Sequence, residues 1–229
     1  MPSEQVVAIP TAGGMVAALL AGARRSSAAT ILCGGAGGGL LGPSGVYADL
    51  AELLPAVDIT TLRLDYRHPN ALQDCVDDVL AAIAHLQGRG VRRVVLVGWS
   101  FGGAVVINGG AQSPAVVGVA TVASQTYGTA AVSRLSPHCR LLLIHGTHDR
   151  VLPDLCSRQL YERAGEPREL VLYQGDGHGL EGHRAELIER LYTFCTALLI
   201  PPSGEPPDAS ASTSPTYLPG LGDDPGAKR

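Results

Sequence analysis

Three short segments hold side chains whose types and spacing suit joint chemistry. Gly98-Trp99-Ser100-Phe101-Gly102-Gly103 sets a serine between glycines two residues to either side, after the run RRVVLV and before an apolar helical pattern. That is G-x-S-x-G in a strand–turn–helix context, where the turn is so tight that a Cβ at either glycine would clash. The strain lifts the serine oxygen above the sheet, at a helix N-terminus. A serine alone is a weak nucleophile and needs a base oriented by a third group. His145-Gly146-Thr147-His148-Asp149-Arg150-Val151-Leu152-Pro153 follows the run RLLLI, and Gln174-Gly175-Asp176-Gly177-His178-Gly179-Leu180 follows RELVLY. The chain order Ser100, Asp149, His178 is then nucleophile, acid, base, which other triad enzymes arrange differently.

Rival chemistries fit less of the sequence. Gly37-x-Gly39-x-x-Gly42 follows a strand and Asp65 closes the next one, the outline of a dinucleotide fingerprint. Pro43 and Ser44 intervene, however, helical pattern begins only near Val46, and the Ser, Asp and His loops stay unexplained. A phosphate loop fails because no Lys-Ser/Thr follows the glycines. His145, His148 and Asp149 are metal ligands on paper, but no second cluster of matching spacing completes a site. Asp176 reads as a loop hydrogen-bonder, Trp99 as packing, and His68, His85, His138 and His183 as surface or internally satisfied.

The elements that must position these loops alternate along the chain. Apolar β-rich runs fall at 29–35, 58–66, 92–100, 116–124, 140–147 and 168–175, with helical patterns at 46–54, 71–87, 101–112, 155–164 and 183–199. Leu72, Val76, Val79, Leu80, Ile83 and Leu86 recur at helical spacing. Strands apolar on both faces that alternate with helices predict a parallel sheet covered on both sides, with chemistry at its carboxyl edge. EQVVAIP and MVAALLAG add an antiparallel hairpin, with Ala12-Gly13-Gly14 as its turn.

The 229 residues are 45% hydrophobic and only 17% charged, enough apolar surface for one sizeable core. A net charge of −4 removes the electrostatic case for binding nucleic acid. No run of ~20 apolar residues suits a membrane, and Glu4 sits where a signal peptide needs positive charge. Five cysteines without C-x-x-C spacing read as reduced thiols of a cytoplasmic protein. In 201–229, 15 of 29 residues are Pro, Gly or Ser, so residues 1–200 are expected to fold and 201–229 to form a disordered tail.

Across roughly residues 5–200 the chain resembles a small, lidless α/β-hydrolase of serine esterase type. GWSFGG is similar to that family's nucleophile elbow, HGTHDRVLP to its acid loop and GDGHGL to its histidine loop. The resemblance implies an α/β fold with a mostly parallel sheet of about seven or eight strands and helices on both faces. It makes Ser100 the nucleophile, Asp149 the orienting acid and His178 the general base. The oxyanion hole would take the backbone N–H of Phe101 and a second donor from Cys33-Gly34-Gly35-Ala36-Gly37-Gly38-Gly39, either Ala36 or Gly35. The architecture is similar to that of dienelactone hydrolases, which use cysteine where position 100 is serine. The implied activity is cleavage of a small carboxylic ester or thioester, with no metal or organic cofactor and neither nucleic acid nor membrane as partner. Peptide or acyl-peptide cleavage, and a non-catalytic binding role on the same fold, are the alternatives.

Overall fold

The computed structural model describes residues 4–22, 26–135 and 137–200; the tail expected at 201–229 lies outside them. The apolar runs build one eight-stranded sheet: β1 (Gln5–Thr11), β2 (Gly14–Ala21), β3 (Ala28–Cys33), β4 (Thr60–Asp65), β5 (Arg93–Trp99), β6 (Val116–Val122), β7 (Arg140–Gly146) and β8 (Arg168–Tyr173). Five helices connect them: α1 (Val46–Leu53), α2 (Leu72–Gly88), α3 (Phe101–Gln112), α4 (Leu155–Arg163) and α5 (Arg184–Leu199). The spatial order is β1-β2-β4-β3-β5-β6-β7-β8. β1–β2 and β2–β4 pair antiparallel, and the pairings from β4 through β3 to β8 are all parallel. This is the α/β-hydrolase fold. Gly14 is already paired with Thr11 in the hairpin ladder, so the turn is the two-residue Ala12-Gly13 rather than the three residues expected.

Side-chain alternation along the strands decides which helix covers which face. On β5, Val94 and Leu96 join the cluster packed under α2, α3 and α4, while Val95 and Val97 join the one packed under α1 and α5. In α2, Cys75, Val76, Val79, Ala82, Ile83 and Leu86 are buried at helical spacing. Each large apolar side chain buried in this way contributes roughly 1.5–3 kcal/mol. In α3, Gly109 and Gly110 sit where a Cβ would press on Val79 and Val119, so the helix lies close to both α2 and β6. Among the described residues, no helix is long and apolar enough to cross a membrane.

The parallel strands β3 to β8 all end on one edge of the sheet. Ser100 therefore follows β5, Asp149 follows β7 and His178 follows β8 on the same side of the molecule. The link between β6 and β7, residues 123–139, contains one short 3-10 turn, Ala130–Arg134, and no inserted lid among its described residues.

Candidate active site

Between the last residue of β5 and the first of α3 stands a single residue, Ser100, with φ 58° and ψ −119°. A non-glycine residue in such a conformation costs on the order of 1–3 kcal/mol and persists only where its surroundings impose it. They do so here. The Ser100 N–H donates to the Val122 carbonyl at 2.8 Å, and the Ser100 carbonyl accepts from Gly103 N–H at 3.0 Å. A Cβ on Gly98 would lie 2.5 Å from the Gly102 carbonyl carbon and 2.7 Å from Val106 Cγ2. One on Gly102 would lie 2.8 Å from the Cys33 oxygen, and one on Gly103 2.6 Å from Ser124 Cβ. The ends of β3, β5 and β6 thus converge on the start of α3 at distances only glycine permits.

Asp149 and His178 are brought together. His178 Nδ1 lies 2.7 Å from Asp149 Oδ2, and the Asp149 side chain is fully buried while that of His178 is 17% exposed. Asp149 Oδ1 accepts the backbone N–H groups of Val151 at 2.8 Å and Leu152 at 2.9 Å. Burial alone would raise the Asp149 pKa, but the His178 hydrogen bond and these two amides outweigh it and hold the carboxyl below its usual value. His178 is tethered to the elbow by Trp99, whose indole N–H donates to the His178 carbonyl at 3.0 Å. The two rings are 5.4 Å apart between centroids. Among the described residues the Ser100 hydroxyl makes no hydrogen bond. A serine–base contact often tightens only when substrate binds.

The glycine-rich loop after β3 lies directly over the serine. A Cβ built on Gly35 would fall 3.5 Å from Ser100 Cβ and 3.6 Å from the Trp99 ring. Gly35 is held by its carbonyl, which accepts Gly38 N–H at 3.0 Å, while Ala36 stands exposed at the tip. Phe101 is the first residue of α3, so its N–H has no acceptor within the helix. Of the residues named for an oxyanion hole, Phe101 follows Ser100 directly in the chain and Gly35 packs beside it.

The competing residues are occupied elsewhere. Asp176 Oδ2 accepts the His183 backbone N–H and pairs with His183 Nδ1, both at 2.9 Å, and Oδ1 accepts Gly177 N–H at 2.9 Å. The Asp176 carboxylate therefore shapes its own loop through Gly177, Gly182 and His183. Gly42 is followed by the turn Pro43–Gly45, and α1 begins only at Val46, so the glycine loop does not open directly into a helix. Among the described residues no group of three His, Cys, Asp or Glu could hold a metal ion. Cys33, Cys75, Cys139 and Cys195 are buried free thiols, each pushed up to about 12 by burial.

The sequence reading weighed His145 only as a metal ligand and did not single out Ser157. His145, on β7, is completely buried, with Nε2 3.2 Å from Asp149 Oδ2 and 3.0 Å from the Leu152 carbonyl. Its Nδ1 lies 2.7 Å from the hydroxyl of Ser157, also completely buried, on α4. The i, i+4 spacing of His145 and Asp149 was visible, but no signal in the sequence marked Ser157.

The order and direction of the strands are those of the α/β-hydrolase fold. Solved structures share it. A dienelactone hydrolase from Anabaena variabilis superposes with a TM-score of 0.76 at 17% identity, over 86% of this chain and 99% of that one. The esterase domain of a Rhodothermus marinus protein gives 0.71 at 18% identity, over 86% and 100%. The Pyrococcus furiosus esterase Pf2001 gives 0.73 at 15% identity, over 86% and 91%. No family model matches the sequence, and no curated protein matches it.

Proposed function

We propose that this protein is a serine hydrolase that cleaves a carboxylic ester or thioester of a small acyl group through an acyl-enzyme, within a single domain reaching to about residue 200. The observation that carries this reading is the 2.7 Å bond from buried Asp149 to His178, tethered through Trp99 to the strained Ser100 turn. Asp149 accepts a hydrogen bond from the Nδ1–H of His178, which leaves Nε2 as the base. Ser100 Oγ attacks the acyl carbon as its proton passes to His178. The tetrahedral oxyanion accepts the N–H groups of Phe101 and of Ala36 or Gly35. His178 then gives its proton to the departing alcohol or thiol, and the Ser100 ester remains. Water, deprotonated by His178, attacks that ester, and the acid and Ser100 are released.

The neighbours named as esterases and dienelactone hydrolase support ester cleavage over the alternatives. The buried, unpaired thiols suit a reducing, cytoplasmic setting. The test is a fluorophosphonate probe with a panel of p-nitrophenyl esters. The wild type is expected to be labelled and to turn over, and folded Ser100→Ala to lose both, with a rate loss of ~10⁴-fold or more. A folded Ser100→Ala variant with full activity overturns the reading.

A further inference from the structure

Asp149 Oδ2 receives two imidazoles, one more than the reaction requires. His178 reaches it from the β8 loop, and His145 reaches it from inside β7. The proton positions on His145 follow from its partners. Nε2 faces a carboxylate oxygen and the Leu152 carbonyl, both acceptors, so Nε2 must carry a hydrogen. The Ser157 hydroxyl has no other hydrogen-bond partner among the described residues, and it donates to Nδ1, which in a neutral ring is the acceptor. Burial lowers the His145 pKa more than the Leu152 carbonyl and Asp149 raise it, which keeps the ring neutral. The charged groups that face it are Asp149 and, at longer range, Asp154 at the start of α4.

We propose that Ser157 and His145 are positioning residues: the Ser157 hydroxyl locks His145 as the Nε2–H tautomer, and that N–H clamps Asp149 Oδ2 in the orientation that receives His178. Asp149 then has two donors on each oxygen, two backbone amides and two imidazoles, and cannot rotate without losing several of them. Because His145 is neutral, the clamp holds the carboxylate while leaving its charge to His178. A protonated His145 would neutralise Asp149 and weaken the base. This proposal rests on the hydrolase reading above.

The experiment has two arms. In the first, ¹⁵N-histidine NMR of the wild type is expected to show His145 Nε2-protonated and neutral at pH 7 to 8, with any titration below the ordinary histidine value of 6.5. A ring that titrates at or above that value, or is protonated on Nδ1 alone, overturns the proposal. In the second, His145→Leu, His145→Gln and Ser157→Ala are assayed on p-nitrophenyl butyrate. His145→Leu is expected to lower kcat about 10- to 100-fold with KM within about twofold, as misplacement of a catalytic group does. With one donor fewer on Asp149, the acidic limb of the kcat/KM profile moves to higher pH. His145→Gln keeps an N–H donor and restores most of kcat, and Ser157→Ala falls between the two. Variants that lose only melting temperature, with kcat and the acidic limb unchanged, overturn the positioning role. If His145→Leu fails to fold, Ser157→Ala and the NMR arm decide. A wild type inert to both fluorophosphonate and ester overturns the hydrolase reading itself, and the positioning role falls with it.

Discussion

Replacing Asp149 by Asn changes one atom and separates the two acidic loops. Asp149 Oδ1 accepts two backbone N–H groups, from Val151 and Leu152, at 2.8 and 2.9 Å. An asparagine in this pocket must keep its carbonyl oxygen there, since turning the amide would set N–H against N–H twice. Its NH₂ then takes the place of Oδ2 and faces His178 Nδ1, 2.7 Å away in the wild type, and His145 Nε2. His178 can meet that donor only by accepting through Nδ1, which moves its own proton to Nε2. The base is then blocked in the tautomer that cannot receive the Ser100 proton. The expected loss is ~10⁴-fold in kcat, or about 5.4 kcal/mol of transition-state stabilisation at 1.36 kcal/mol per decade. Asp176→Asn disturbs a different loop: it removes one of the acceptors that hold Gly177, Gly182 and His183. It is expected to cost about 1–3 kcal/mol of stability and to leave kcat within about threefold. Steady-state kinetics on p-nitrophenyl butyrate, fluorophosphonate labelling rates and thermal melts of both variants make the comparison. If Asp176→Asn is the crippled enzyme, or folded Asp149→Asn keeps more than about a tenth of kcat, the tautomer argument is wrong.

Two further outcomes are expected. Ser100→Gly removes the positive-φ strain at the elbow, about 1–3 kcal/mol, against the roughly 0.5–1 kcal/mol of extra chain entropy that glycine loses. It should therefore raise the melting temperature while abolishing labelling, and a lowered melting temperature would contradict the strain argument. Turnover should peak for acyl groups of about two to four carbons and flatten beyond six. The described residues of the 123–139 link supply no lid, and a methylene without a wall gains little of the ~0.8 kcal/mol available on full burial. A detergent-free preference that rises through twelve carbons would reveal an acyl channel.

Much of the architecture was legible because its signals are local. Periodicity placed α2 at 71–87, and it runs Leu72–Gly88; each apolar run became a strand within a few residues of its expected ends. The hairpin turn was read one residue too long because glycine marks a turn and the end of a strand equally well, and only the Thr11–Gly14 pairing assigns Gly14 to β2. Motif spacing likewise put Ser100, Asp149 and His178 after three strands of one parallel sheet, which brings them to one edge. Spacing alone left two carboxylates for His178, Asp176 two residues away and Asp149 29 away; the likeness of HGTHDRVLP to an acid loop picked Asp149, and His178 does meet it, at 2.7 Å. That choice depends on where the β8 loop turns, with Asp176 tied up by its own following amides and by His183. The Gly35 approach to Ser100 and the bond from Ser157 on α4 to His145 on β7 were out of reach. Sequence determines which residues a helix or strand can bury, because that depends on neighbours three or four positions away. Hydrogen bonds between loops depend on how far apart whole strands and helices pack, and only the assembled sheet sets those distances.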